Sequence, residues 1–269
     1  MRRERAPIRP VALVTGASAG IGEALARRFA AGGHDLVLVA RTAPALRALA
    51  RALAAEHGVR ARAMPADLAE PGAADALADA LERAGLQVDV LVNNAGVLDY
   101  GPLATMPPGR AQRMVAVNVA ATTALCARLV PAMVERGRGR VLNVASIAAF
   151  QPIPSLAVYA ATKAYVLSFS EALGEELRGT GVGVTALCPG ITRTSMLDGA
   201  VESNAALAGL PAAVVGTVES VANEGYEACL RGEAIRVPGA LNLAATLAAR
   251  ATPKWLVRRL AGAMTRAVG

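Results

Sequence analysis

Lysine is nearly missing from this 269-residue chain. Of its 28 basic residues only Lys163 and Lys254 are lysines, and the rest are arginines. In so arginine-rich a composition, a lysine marks a place where a compact ammonium serves and a broad planar guanidinium does not. Aromatic residues are scarce too, at 3%. The formal charge of +7 and a pI near 10.0 raise the question of nucleic acid. Yet the arginines are scattered, with no stacking platform and no basic block, so nucleic-acid binding is not expected. Three cysteines (Cys126, Cys188 and Cys229), odd in number and without a CxxC pair, exclude a disulfide framework and fit a reducing compartment. The two histidines, His34 and His57, lie in helix-end contexts with no partner motif; both are read as surface residues, and no metal is expected. The uncharged stretch from Val237 to Ala249 is well short of the ~20 residues of a membrane span. The basic segment from Met1 to Pro10 has no signal-peptide core. A soluble, cytoplasmic protein is the expectation.

What the chain does have is apolar residues, 54% of the total, arranged as short runs alternating with helical patterns. Val11 to Thr15 reads as a buried parallel strand. The turn Thr15-Gly16-Ala17-Ser18-Ala19-Gly20-Ile21-Gly22 follows, and then a helix stopped by Gly32-Gly33. Glycines between a strand and a helix let the backbone approach a pyrophosphate, which the helix N-terminus stabilises. Asp35 to Arg41 is the second strand. At its end, where an acid would select NAD, stand Ala40 and Arg41, which favours the 2′-phosphate of NADP. Further strands are expected at 59–64, 88–92, 139–146, 182–187 and 234–237, making seven. Helices are expected at 44–57, from Pro71, at 109–136 and at 217–230. Asp67, followed by Leu68, can accept from an adenine amino group or cap the helix that begins near Pro71. Asn93-Asn94-Ala95-Gly96 closes the fourth strand, where its carboxamides can stitch loops or border a cofactor. Asn118 sits mid-helix among apolar residues, which invites a reason beyond helix propensity.

The chemistry concentrates between Ser146 and Lys163. Ser155 is expected to cap a helix carrying Tyr159 and Lys163, four apart and so on one face. A phenol with a pKa near ~10 is a poor acid/base at neutral pH, and an adjacent fixed cation lowers it. The alternation of strands and helices predicts an α/β fold: one Rossmann-type, doubly wound parallel sheet of seven strands over residues 1–269, with ligands at the strand C-termini.

With Thr15-Gly16-x-x-x-Gly20-x-Gly22, Asn93-Asn94-Ala95-Gly96, Asn118, Ser146, Tyr159-x-x-x-Lys163 and Pro189-Gly190 in this order, the chain resembles the short-chain dehydrogenase/reductase family over residues 10–240. The resemblance implies that Tyr159 is the acid in reduction and the base in oxidation. Lys163 lowers its pKa and bonds the nicotinamide ribose, Ser146 holds the substrate carbonyl, and Asn118 holds a water linked to Lys163. Thr194 bonds the carboxamide, and Pro189, Gly190 and Thr192 complete that end of the cofactor site. Gly16, Ser18, Ala19, Gly20, Ile21, Gly22, Arg41, Asp67, Leu68, Asn94, Ala95 and Gly96 border the rest of the cofactor. NADP(H) is the preferred cofactor, with NAD(H) usable. Ala19 departs from the basic residue that many NADP users carry, so cofactor choice rests on Arg41, with Ser18 as a helper. The expected reaction interconverts a ketone or aldehyde and an alcohol. Leu98, Phe150, Ile153, Leu197, Leu207 and Leu210 suggest an apolar or amphipathic substrate. A cofactor-binding regulator or scaffold on the same fold is the rival, and it would be expected to have lost Ser146, Tyr159 or Lys163.

Residues 191–216 have the small, mildly apolar composition of a substrate lid. From Gly239 onward the resemblance is weakest. Pro253 can begin a helix bearing Leu256, Leu260 and Met264 beside Lys254, Arg258, Arg259 and Arg266. Packing on its own domain or across a homodimer or homotetramer is the default for such a helix, and contact with an anionic membrane is the minority reading.

Overall fold

The computed structural model of the protein describes residues 9–193 and 215–251. Thr194, Leu197, Leu207, Leu210 and the helix expected after Pro253 lie outside the described residues.

Seven parallel strands form one sheet in the order β3-β2-β1-β4-β5-β6-β7. They are β1 (Val11–Thr15), β2 (Asp35–Val39), β3 (Ala61–Ala63), β4 (Val90–Asn93), β5 (Gly139–Val144), β6 (Val182–Leu187) and β7 (Ile235–Arg236). A parallel strand is covered on both faces, so its residues are apolar throughout; all five of β2 are buried. Period-two alternation divides them between two cores. Ala12, Val14, Leu36, Leu38, Leu142 and Leu187 face one layer. That layer comprises α1 (Gly20–Ala31), α2 (Ala43–His57) and α7 (Val218–Arg231). Leu13, Val37, Val39, Leu91 and Val141 face the other. There lie α3 (Ala73–Arg83), α5 (Thr122–Glu135) and α6 (Ala157–Glu176). The chain leaves β1 for β2 on one side, and β4 takes the place on β1's other side, so the loops after β1 and β4 diverge and open a crevice.

The long helix expected at 109–136 is continuous but not regular. α4 (Pro108–Val115) passes into a π-helical turn (Ala116–Ala121) before α5 begins. By length and composition the span Pro108–Glu135 could cross a membrane, but Met114, Leu125 and Met133 bury it in the fold.

Three local expectations are corrected. Ser155 does not cap α6: its φ is +63°, the helix starts at Ala157 after Leu156, and the Ser155 carbonyl accepts from the Gly101 N–H at 2.8 Å. Asp67 does not cap the helix that begins near Pro71: that helix starts at Ala73 after Gly72, and the Asp67 carboxylate accepts from Arg113 and from the Ala69 N–H. His34 is not on the surface. The turn ending α1 folds its N–H onto the Phe29 carbonyl at 3.1 Å, and its ring packs edge-on against Phe29 at 5.2 Å. Burial lowers its pKa. His57, half-buried at the end of α2, is nearer the expectation.

The β1–α1 turn admits no extra atom. A Cβ on Gly22 would lie 2.2 Å from the Gly16 carbonyl oxygen and 2.3 Å from Asn94 Nδ2. Gly22→Ala is therefore expected to lower stability by about 1–3 kcal/mol. Gly109→Ala, where a Cβ meets nothing within 4 Å, should be neutral or stabilising. Chemical denaturation of both variants checks this, and equal stability would show that the turn relaxes freely.

Candidate active site

A cavity of about 580 Å³ runs along the C-terminal ends of the strands. One wall is the β1–α1 turn, where Gly16 (φ +65°) and Gly20 (φ +57°) adopt left-handed backbone. Ser18, Ala19, Gly20, Ile21 and Gly22 line it. Ala19 offers no side-chain cap to α1, so the first N–H groups of the helix remain available to an anion. The turn is fixed from β4. Thr15 Oγ1 donates to the Val92 carbonyl at 3.2 Å and accepts from the N–H groups of Asn94 and Ala95, each at 3.0 Å. Asn94 Nδ2 donates back to the Thr15 carbonyl at 2.9 Å. Asn94 thus stitches the two loops, and with Ala95 and Gly96 it also lines the cavity.

Beyond β2 the cavity is bordered by Ala40, Arg41, Asp67 and Leu68. Arg113 of α4 donates to both Asp67 oxygens, at 2.8 and 3.0 Å. That hydrogen bonding holds the Asp67 carboxyl below its usual pKa despite some desolvation, and the nearby Arg41 adds a smaller electrostatic contribution. Arg113 went unnoticed in the sequence because its partner is 46 residues away and no spacing rule connects them.

The third region joins β5, α6 and the loop after β6. Ser146 follows β5 and caps a 3-10 turn (Ile147–Phe150), its Oγ accepting from the Ala148 N–H at 3.1 Å. Ser146 and Tyr159 both line the cavity, together with Pro189, Gly190 and Thr192. Burial raises the Tyr159 pKa, and a hydrogen bond from Ser146 partly offsets this. The phenol therefore carries its proton at neutral pH.

Lys163 stands behind the phenol, 5% exposed, its Nζ 5.8 Å from the ring centroid and donating to the Val144 carbonyl at 2.7 Å. Burial pulls its pKa down to about 8. The expectation that the ammonium lowers the phenol's pKa is not met, because desolvation dominates both groups. Asn118, 1% exposed, lies in the π turn. Its Nδ2 donates to the Val97 carbonyl and to Thr162 Oγ1, each at 3.0 Å, and its Oδ1 accepts from the Val97 N–H at 2.8 Å. A Cβ on Gly96 would lie 3.4 Å from both Asn118 Oδ1 and Lys163 Nζ, in van der Waals contact with each.

The far end is mostly apolar, with Val97, Leu98, Val117, Ile147, Ile153, Leu156 and Ile191 on its walls and Tyr100 and Gln151 as the neutral polar exceptions. Among the described residues no group of His, Cys, Asp or Glu could hold a metal.

A glycine turn at a helix N-terminus, with a phenol, a half-buried hydroxyl and a buried amine near the sheet's switch point, is an arrangement that suits a nucleotide-dependent oxidoreductase. The comparisons specify which. The short chain dehydrogenase family profile matches residues 10–205. A short chain dehydrogenase of Pseudocercospora fijiensis is 37% identical over 187 residues, a stretch covering 69% of this chain and 60% of that relative's length. The 1-deoxy-11-beta-hydroxypentalenate dehydrogenase of Streptomyces exfoliatus is 40% identical over 192 residues, covering 70% of this chain and 69% of that one. Among solved structures, a short-chain dehydrogenase from Sphingobium yanoikuyae in complex with NADPH superposes with a TM-score of 0.80 at 36% identity, covering 90% of this chain and 93% of that one. The chain belongs to the short-chain dehydrogenase/reductase family of NAD(P)-dependent oxidoreductases.

The Lys163 pKa carries a testable consequence. With a folded value of about 8 and an unfolded one near ~10.4, the unfolded chain binds more protons between these pH values. The buried ammonium's cost is thus fully present below pH ~8 and is relieved as the pH rises toward ~10.4. Relative to Lys163→Met, the cofactor-free wild type should gain roughly 2–3 kcal/mol between pH ~7 and pH ~10. Urea unfolding of both proteins at each pH measures it, and a constant difference would refute the desolvated ammonium.

Proposed function

We propose that the protein is an NADP(H)-dependent oxidoreductase that interconverts a ketone or aldehyde and an alcohol on an apolar or amphipathic substrate. The observation that carries this reading is the placement of the Tyr159 phenol and Ser146 hydroxyl on one cavity wall, with the Lys163 amine buried behind them. The NADPH-bound relative supports the choice of cofactor. The residues fit that group: the open α1 N-terminus suits a pyrophosphate, and Arg41, with no acid at Ala40, suits a 2′-phosphate. When bound, the nicotinamide supplies or accepts the hydride.

The chain's own residues move and hold the proton. Ser146 Oγ donates a hydrogen bond to the substrate oxygen and steadies the charge developing there. Tyr159, protonated at neutral pH, gives its phenolic proton to that oxygen in reduction and takes it back from the alcohol in oxidation. The Lys163 ammonium stabilises the phenolate and bonds the ribose hydroxyls. Asn118, fixed by Val97 and Thr162, keeps one lone pair for a water that connects Lys163 to solvent. Thr194, together with the Pro189–Thr192 loop, holds the carboxamide. The Arg113–Asp67 pair borders the adenine end. The apolar far wall excludes water and favours a substrate without an anionic group.

Tyr159→Phe should abolish NADPH oxidation across a panel of apolar ketones while leaving NADPH binding within about twofold, because it deletes only the proton donor. Comparable loss of binding would make Tyr159 structural. Arg41→Asp should shift the kcat/KM ratio from NADPH toward NADH by roughly tenfold to a hundredfold, the worth of one charge-assisted phosphate contact. Equal use of the two cofactors by the wild type would remove Arg41 as the selector.

A further inference from the structure

Among the described residues that line the cavity only Arg41, Asp67 and Arg113 carry full charges, and they reach it from separate elements. Arg41 follows β2, Asp67 follows β3, and Arg113 belongs to α4. Arg113 Nη2 lies 2.8 Å from Asp67 Oδ2 and 3.0 Å from Oδ1, and the Ala69 N–H donates to Oδ1 at 3.0 Å. A carboxylate offers about four acceptor positions, so Asp67 keeps one for an adenine amino group. Both members of the pair are half-buried. An ion pair so open to water adds little to stability, and its place on the cavity wall asks for another account.

Arg41 supplies that account. Among the described residues it has no carboxylate partner of its own. The hydrogen bond from Arg113 is the main reason the Asp67 carboxyl is lowered in pKa, and Arg41 adds a smaller electrostatic pull, so Arg41 and Asp67 sense each other's charge. Two cations thus compete for one carboxylate, and Arg113 holds it. Released from Arg113, Asp67 would turn an unbalanced negative charge toward the site of a 2′-phosphate and draw the Arg41 guanidinium to itself. Held by Arg113, the carboxylate is balanced, and the Arg41 fork remains available to an anion. Arg110, one turn earlier on α4, is already engaged by Asp99 at 3.2 Å and offers no substitute.

We propose that Arg113 is a positioning residue for cofactor choice: by holding Asp67 it leaves Arg41 free to bind the 2′-phosphate of NADP(H). The inference rests on the NADP(H) reading above. Calorimetric titration of the full chain with adenosine 2′,5′-bisphosphate and with 5′-AMP tests it, because the ratio of the two affinities reads the 2′-phosphate alone. The wild type should favour the bisphosphate, and Arg113→Met should lower that ratio roughly tenfold. Arg113→Gln, which keeps a hydrogen bond to Asp67 without the charge, carries the same expectation should the methionine variant fail to fold. Arg113→Lys should restore most of the ratio. In an Asp67→Asn background there is no carboxylate to balance, so adding Arg113→Met should change the ratio by no more than about twofold. The proposal is overturned if Arg113→Met weakens both ligands alike, which would make the residue merely structural. It is equally overturned if the loss persists in the Asp67→Asn background, which would make Arg113 a direct phosphate ligand. A wild type that binds both ligands equally overturns the NADP(H) reading and this proposal together, whereas the two preceding outcomes overturn the proposal alone.

Discussion

The arrangement depends on Thr15. One hydroxyl at the end of β1 ties to three groups of β4 and the loop beyond it, where the two strands' connections part company. A sheet that reverses its winding direction leaves a gap at that point, and water would enter and loosen both loops. The Thr15–Asn94 cross-tie makes the gap rigid without filling it. The glycine turn on one side and the Asn94–Gly96 segment on the other both inherit their positions from this cross-tie. Side-chain to backbone bonds of this kind are strong where water is excluded and costly to break singly.

From that crevice the site extends in two directions of opposite character. Toward β2 it is cationic and partly open, with Arg41 exposed and Arg113 bound to Asp67. Toward β5 and β6 it is dry, and its titratable groups are displaced by desolvation: the Tyr159 phenol upward, the Lys163 amine downward to about 8. The two shifts move the pair apart in acidity, so that the phenol holds its proton more tightly than in water and the ammonium holds its own less tightly.

Much of this was legible in the sequence where the chain is periodic. β1 and β6 fall on their expected residues because Val11–Thr15 and Val182–Leu187 are short, mostly apolar runs bounded by glycines or turns. Gly16, Gly20, Gly22, Ser146 and Tyr159 come to one cavity from three different elements, and Lys163 lies one turn beyond Tyr159 on α6. What escaped is contact across elements. Ser155 looked like a cap because the sequence does not show that the Gly101 loop binds its carbonyl. His34 looked exposed because Tyr226, which packs beside its ring at 6.4 Å, arrives from α7. Arg113 carried no local signature at all. The π turn was equally silent, since Ala, Val and Asn suit an ordinary helix as well.

That π turn changes what a single-residue deletion means. In a regular helix, removing one residue rotates everything beyond it by about 100° and scrambles the buried face. The segment from Pro108 to Glu135 already carries one residue beyond regular winding at Ala116–Ala121. Excising one there would restore an unbroken α-helix, so the backbone would tolerate the loss. The casualty would be alignment: Asn118 would swing away from Val97 and Thr162 while α5 kept its seat on the sheet. The extra residue is therefore an indexing device, and it lets one continuous helix serve the core with one half and the site with a side chain that ordinary helical phase would point elsewhere.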